Sequence, residues 1–324
     1  MNLPFLEAAS DALQSLYRER GIKYRASVIS NGTCWPDEVG PFVARHSINQ
    51  IQISFDGLRH NHNKRRHYRK GYAESEDDSS FDKAVSLVDR LLEHVHVVIR
   101  MNIDRGNSED ITPFIRFARD RGWFSKPFKA KVQPARLAAY TPHSGFMRNH
   151  QLSDEEYNVL RELVRREVNG DTEVEEGESP DGYPYPRTSV CAALADDSVV
   201  IGADKRHYRC GLQVAEPARS VGQLPLAKTN LLPIIDPQSL DRESDSAWWQ
   251  AFDPTTLPTC SRCSFLPICW AGCPVKHLEK DQHAIAEQGR YWRMNLPRLI
   301  TQKYGLEPVG IVAFTEEDQF RSGG

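Results

Sequence analysis

Cysteine is almost missing from the first half of this 324-residue chain: Cys34 is the only one before Cys191. Long apolar runs are missing too. None approaches the 18 residues of a membrane-spanning helix, so the sequence offers no transmembrane segment. The opening MNLPFLEAASDALQ lacks a basic stretch leading into an apolar block, which excludes a secretory signal. Neither sign of charge is in excess. The formal net charge of -3 gives no global drive toward nucleic acid or a membrane surface. These absences point to a cytoplasmic, reducing location. There, seven cysteines bind metal more readily than they form disulfides, and their odd number points the same way.

What is present is concentrated late. Cys260–Cys273 reads CSRCSFLPICWAGC, four thiols at spacings x2, x5 and x3, with Pro274 next. Structural free thiols are usually buried singly, so four in so short a run need a chemical reason. Tight turns that gather soft thiolates suit zinc or an iron–sulfur cluster, and a disulfide pair is the third option. Zinc would be satisfied by four nearby ligands and would leave Cys191 and Cys210 without a task.

The rest of the chain offers a scaffold. With 40% hydrophobic residues it can build a sizeable core, as two domains or as one domain with an extension. Helical spacing of Leu6, Leu13, Leu16 and Tyr17 predicts a helix over Leu3–Arg20. Strands are predicted at Tyr24–Ser30, Ile48–Phe55, His96–Ile103 and Phe128–Pro134. Helices are predicted between them: Asp37–Arg45 after Pro36, one N-capped by Ser80, and one opening at Asn107 or Ser108. The Ser80 helix has an apolar face of Phe81, Val85, Val88, Leu91 and Leu92. The next has Ile111, Phe114, Ile115 and Ala118. Four strands alternating with helices imply βα units and a parallel sheet. Ligands bind at the strand C-termini of such sheets, here Ser30–Gly32, Ser54–Gly57, Asn102–Asp104 and Gln133–Pro134. Ordinary loop chemistry explains those residues equally well. A chain that enters a parallel sheet by a helix also leaves an exposed apolar edge.

Ser153, with Glu156 three residues on, forms a capping box before Tyr157, Leu160, Leu163 and Val164. Residues 1–169 then form the first domain and the acidic, proline-bearing stretch 170–186 a solvated linker. Residues 187–314 form the second domain, and 315–324 a loose tail. In the second domain Ser198–Ile201 and Arg206–Cys210 read as a hairpin. Val221–Leu224 is a turn and strand start, Trp248 and Trp249 pack beneath the cysteine run, and Gly289–Lys303 is a last helix.

Taken in order, these residues resemble the radical S-adenosylmethionine (SAM) enzymes with a SPASM extension. Ile29–Thr33 is similar to that family's third-strand ending. Ile53–Gly57, with His62, Lys64, Arg65, Arg66 and Tyr68 and later Ser80–Lys83, is similar to its fourth-strand block, and Arg100–Asp104 to its fifth strand. Cys191, Cys210, Val221–Leu224 and the Cys260–Cys273 run resemble the SPASM signature, C-x9–15-G-x4-C followed by C-x2-C-x5-C-x3-C and a final Cys. The resemblance implies an α/β fold: an incomplete (β/α)6 partial TIM barrel followed by a cysteine-rich SPASM iron–sulfur domain.

It also implies roles. Ser54 would contact bound SAM, and Arg66 would pair with the SAM carboxylate. The alternatives are a turn-capping serine and one charge of the solvated run Arg59, Lys64, Arg65, Arg66, Arg69 and Lys70. That run lacks the breadth and interleaved aromatics of a nucleic-acid face. Asp56, Asn102 and Asn31 suit structural roles as well as functional ones, and Cys34 reads as a packed or loop thiol. Cys191, Cys210 and Cys273 would hold one [4Fe-4S] auxiliary cluster. Cys260, Cys263 and Cys269 would hold a second, with His277, Asp281, His283 or Glu287 as a possible fourth ligand.

The sequence departs from the family in several places. The C-x3-C-x2-C motif of the SAM-cleaving cluster and the GGEP-like motif are absent, so the first two βα units read as missing and the chain as a fragment. Lys205 stands where the signature has glycine, and the final cysteine is lacking. Gly211 follows the second SPASM cysteine where related sulfatase maturases carry Asp, which disfavours that activity. The expected function is a maturase of a precursor peptide or protein, fed by an external electron donor. A separate chain could supply the missing N-terminal part. No residue is nominated as catalytic acid or base. The competing reading is a non-catalytic iron–sulfur or zinc-binding interaction module, or a gene remnant.

Overall fold

The computed structural model describes residues 3–68, 79–139, 142–169, 183–186, 188–195, 198–214, 216–223 and 245–306. The chain folds as two compact units, Met1–Thr172 and Glu173–Gly324. Arg69 and Lys70 of the basic run, Leu224, most of the stretch 170–186 and the tail 315–324 lie outside the described residues.

The first unit is built on four strands. β1 (Ala26–Ser30), β2 (Ile48–Phe55), β3 (His96–Ile103) and β4 (Ala130–Arg136) lie side by side in chain order, and every pairing is parallel. Each crossover carries helix. α1 (Leu3–Glu19) precedes β1, and α2 (Val39–Arg45) joins β1 to β2. α3 (Arg59–Arg65) and α4 (Ser80–Leu91) join β2 to β3. α5 (Ile111–Asp120) joins β3 to β4, and α6 (Asp154–Asn169) follows.

Period-two alternation decides what covers the sheet. Ile51, Ile53 and Phe55 of β2 share one face with Val97, Ile99, Met101 and Ile103 of β3 and with Ala130 and Val132 of β4, and all are buried. Against that face lie Phe81, Val85, Val88 and Leu91 of α4 and Ile111, Phe114, Ile115 and Ala118 of α5. These are the two apolar faces predicted from helical spacing. Each large side chain buried there contributes about 2 kcal/mol by removing apolar area from water.

The opposite face is different. It carries Ser27 and Ile29 of β1, Gln50, Gln52 and Ser54 of β2, His96, Val98, Arg100 and Asn102 of β3, and Lys131 and Gln133 of β4, of which Val98 is a buried apolar residue. Ile29 is 72% exposed there. A doubly wound parallel sheet is apolar on both faces. Here one face is apolar and covered by helices, and the other is mostly polar.

Several boundaries differ from the sequence reading. Ser79, not Ser80, caps α4: its hydroxyl accepts from Asp82 N at 3.2 Å, while the Ser80 hydroxyl donates to the Arg66 carbonyl at 2.7 Å. Ser79 has the extended backbone a cap needs, which a run of two serines does not reveal. α3 has no counterpart among the predicted helices, because RHNHNKR has no apolar period and buries His62 alone. The Ser153–Glu156 capping box forms as expected, with Glu156 N to Ser153 Oγ at 3.1 Å and Ser153 N to Glu156 Oε2 at 2.6 Å.

The second unit has a small antiparallel sheet of β5 (Val200–Ile201), β6 (Arg206–Tyr208) and β7 (Gly222–Gln223), in that order. Lys205 closes the β5–β6 turn at φ 64, the left-handed conformation glycine adopts without cost. The departure at that place is thus accommodated by backbone shape. α7 (Asp245–Ala251), α8 (Leu266–Cys269), α9 (Pro274–Leu278) and α10 (Gln282–Tyr304) follow. α10 starts seven residues before the predicted Gly289 because Asp281 caps it, accepting from Ala284 N at 3.1 Å. Ala193, Trp249 and Val275 form the core of this unit, and Cys191, Cys210, Cys273 and Trp248 pack against them. No helix among the described residues is long and apolar enough to cross a membrane.

Candidate functional site

Two groups of residues stand out, one in each unit. In the first unit the polar face ends in a hydrogen-bonded network at the C-terminal tips of β2 and β3. The Arg66 guanidinium, at the end of α3, forks onto Asp56, Nε to Oδ2 at 2.5 Å and Nη2 to Oδ1 at 3.3 Å. Asn102 Nδ2 donates to the same carboxylate at 2.8 Å. Asn107 ties the two strand ends together, donating at 2.9 Å to both the Asp56 and Asn102 carbonyls. Arg65 pairs with Asp104 at 2.7 Å. Asp56 and Asp104 are both buried, and each has an arginine partner as buried carboxylates require.

Beneath this network His62 is fully buried among Phe55 and Phe81. Its Nδ1 accepts from Asp56 N at 3.3 Å, and its Nε2 has no partner. Burial first, then the charge of Arg66, lowers its pKa to about 4, with Asp56 opposing. The ring is therefore neutral, with Nδ1 the acceptor.

Ser54 is 9% exposed and stands opposite Arg100 in the β2–β3 register, two residues before Asp56. Asn31 has a local role, its Oδ1 accepting from Thr33 N at 3.2 Å. Ser30 accepts from Gly32 N and from Trp35 Nε1. Cys34 is exposed and reduced.

The second unit assembles thiols. All seven cysteines are free. Burial pushes the Cys210 thiol up, and the neighbouring Cys273 and Cys191 thiols and Glu279 add to the rise. Burial likewise raises Cys269, with Cys260 and Cys263 adding. Cys260 is raised by burial and by Cys263. Cys191, Cys210 and Cys273 also pack against one small core, and the thiols that act on Cys269 are Cys260 and Cys263. Sulfur acceptors are already served by backbone donors. Cys191 Sγ accepts from Ala193 N and Cys210 Sγ from Leu212 N, each at 3.5 Å.

Among the described residues no three His, Cys, Asp or Glu side chains lie close enough to share one metal ion. Tetrahedral zinc would need its sulfurs roughly 3.8 Å apart, given a Zn–S bond near 2.3 Å. A multi-iron cluster sets its thiolates farther apart, because each binds a different iron. The donors present are soft thiols, and backbone N–H groups point at the sulfurs of Cys191 and Cys210, a chemistry compatible with iron–sulfur ligation. The first unit, with one exposed thiol, does not fit the SAM-cleaving cluster.

A left-handed turn separates Cys269 from Cys273. Trp270, Ala271 and Gly272 have φ of 48, 60 and 71, so the chain reverses between Cys269 and Cys273. The conformation costs about 1 kcal/mol or more for each of the two non-glycine residues. Two side chains hold it. His277 Nε2 is bonded to the Ala271 carbonyl at 2.9 Å, and Gln288 Oε1 accepts from Cys273 N. A Cβ at Gly272 would collide with that Gln288 amide.

A cleft of about 350 Å³ opens beside this turn, lined by Cys191, Cys269 and Cys273 with Ile268, Tyr291 and Trp292. Of the proposed fourth ligands, His277 is engaged with the turn, and Asp281 caps α10 and faces Lys276 at 3.7 Å. His283 and Glu287 face each other, exposed, at 3.8 Å.

Sequence reasoning found the thiols and the strand ends but not His277's hold on the turn, Gln288 or the polar sheet face. The face was signalled by Gln50, Gln52 and Ser54, and by Arg100 and Asn102, at every second position. The sequence matches no protein-family model and no curated protein. Among solved structures the chain is similar to a histidine-tagged anSMEcpe with bound AdoMet, with 12% identity and a TM-score of 0.50 over 92% of this chain and 77% of that one, a likeness of fold.

Proposed function

We propose that this chain is a radical SAM/SPASM-type protein that carries two auxiliary iron–sulfur clusters and serves the modification of a peptide or protein substrate. The observation that carries the reading is the grouping of thiols. Cys191 and Cys210, distant in sequence, pack with Cys273 against one small core of Ala193, Trp249 and Val275. A likeness of fold to a structure with bound AdoMet supports the SAM part.

Cys191, Cys210 and Cys273 would hold one cluster, and Cys260, Cys263 and Cys269 the other. When bound, such clusters supply one-electron transfer. The Ala193 and Leu212 amides hold the thiolates of Cys191 and Cys210 in place. On the polar sheet face Ser54 and Arg66 are the proposed SAM contacts. Arg66 keeps Asp56 through Nε and Nη2, and its Nη1 lies outside that pair. The cluster that cleaves SAM, and the electrons it needs, would come from outside the residues described, from another segment, a separate chain or an external donor. A metal-binding module without catalysis is the second reading, favoured by the solitary, exposed Cys34 of the first unit.

Anaerobic reconstitution with iron and sulfide analysis tests the proposal. Two clusters per chain are expected. Cys191→Ser, Cys210→Ser or Cys273→Ser should each remove one cluster and leave the other. One zinc per chain without visible absorbance would overturn the reading in favour of the module.

A further inference from the structure

Trp249 is a deeply buried large side chain of the second unit that packs beside the thiols, and it carries a polar atom without use. The residue is 2% exposed and sits in the core with Ala193 and Val275. Cys191, Cys210 and Cys273 pack against that same core. Its indole Nε1 has no hydrogen-bond partner. A buried N–H left unpaired costs about 1–3 kcal/mol, so a native fold rarely keeps one without a purpose.

Several acceptors of this small core are taken. Arg209, itself 6% exposed, donates to the carbonyls of Ala193, Ala195 and Ser198 at 3.1, 2.7 and 3.1 Å. The Cys191 carbonyl accepts from Leu194 N and from the Ser189 hydroxyl. Cys191 Sγ and Cys210 Sγ each accept a backbone amide. Trp248, next on the helix, meets Trp249 edge-on with centroids 5.4 Å apart and offers no acceptor. The Glu279 carboxylate that acts on Cys210 is already paired with Lys276 Nζ at 3.0 Å, which leaves a place for a further electron-rich, anionic acceptor. Sulfur bridged between irons is one.

We propose that the Trp249 indole N–H donates a hydrogen bond to sulfur of an iron–sulfur cluster held by Cys191, Cys210 and Cys273, and so sets that cluster's reduction potential. The inference rests on the cluster reading above. An N–H aimed at sulfur stabilises the reduced, more negative cluster more than the oxidised one, so it raises the potential. Trp249 is therefore a tuning residue and not a ligand. Its removal should leave the amount of bound iron unchanged.

The test is an EPR-monitored redox titration of the reconstituted full chain and its Trp249→Phe variant. The variant keeps an aromatic ring in the core and loses the donor. Its cluster at Cys191, Cys210 and Cys273 should become harder to reduce by about tenfold in the one-electron equilibrium, ~59 mV. Iron and sulfide content and the potential of the Cys260, Cys263 and Cys269 cluster should not change. A second measurement needs no substitution at Trp249. In ¹⁵N-indole-labelled wild-type chain, the buried indole N–H should slow its hydrogen exchange and shift its resonance on loading.

A potential unmoved in Trp249→Phe, or an indole signal indifferent to loading, would assign the N–H to a trapped water and overturn the proposal. A wild-type chain that takes up no cluster at these three thiols would sink the cluster reading, and the proposal with it. Those two failures are told apart by the iron content of the wild-type chain alone.

Discussion

Acidification should loosen the first unit through a single buried histidine. His62 is fully buried, and its pKa stands at about 4 against an ordinary 6.5, chiefly because burial disfavours the imidazolium. A histidine lowered in the folded state holds fewer protons there than in the unfolded chain. Its contribution is present above pH 6.5 and is lost as pH falls toward 4. Between those limits each pH unit removes up to about 1.4 kcal/mol, for a total near 3 kcal/mol. That is a large share of a typical domain's stability. Because the chain has two units, a whole-chain melting curve would mix them. Amide hydrogen exchange in β2 and β3 reads the first unit directly. Wild-type protection there should fall steeply between pH 6.5 and 4, after correction for intrinsic exchange rates. In His62→Leu the fall should be shallower by about 3 kcal/mol over that window, although the variant starts less stable because Asp56 N loses its acceptor. Equal slopes in wild type and variant would show that other groups carry the acid sensitivity and that the neutral, buried ring is misassigned.

Two further outcomes concern the second unit. Lys205→Gly should stabilise the β5–β6 hairpin by about 0.5–1 kcal/mol, since φ 64 is strained for lysine and free for glycine; slower exchange of the β6 amides is the check. Gly272→Ala should destabilise the Cys269–Cys273 turn by at least about 1 kcal/mol and displace Gln288 from Cys273 N. Its measure is lower iron retention, with the first unit's exchange pattern unchanged.

The fold was legible where periodicity was strong. The faces of α4 and α5, the strands Ile48–Phe55 and His96–Ile103, and the Ser153 capping box follow from side-chain spacing and cap chemistry. α3 was not legible, because a helix that buries one histidine carries no apolar period. The start of α10 was missed because the sequence after Pro274 reads as a mixed polar stretch and the Asp281 cap is recognised by its bond to Ala284 N. The thiols were found by type and spacing. The supports of the turn between them were not: His277 acts through an Ala271 carbonyl and Gln288 through a backbone N–H.

The turn between Cys269 and Cys273 explains why four thiols in fourteen residues do not collapse onto one metal. An x3 spacing in a continuous helix would set both sulfurs on one face, about one turn apart, and favour a single site. α8 instead stops at Cys269, three left-handed residues reverse the chain, and α9 restarts at Pro274. Cys273 packs against the core it shares with Cys191 and Cys210, and Cys269 lines the cleft beside the turn. The conformation is unfavourable for Trp270 and Ala271, so it persists because His277 and Gln288 hold it from helices on the C-terminal side. Strain maintained by dedicated hydrogen bonds, in a turn between two cysteines, is what a fold retains when the placement of those side chains matters.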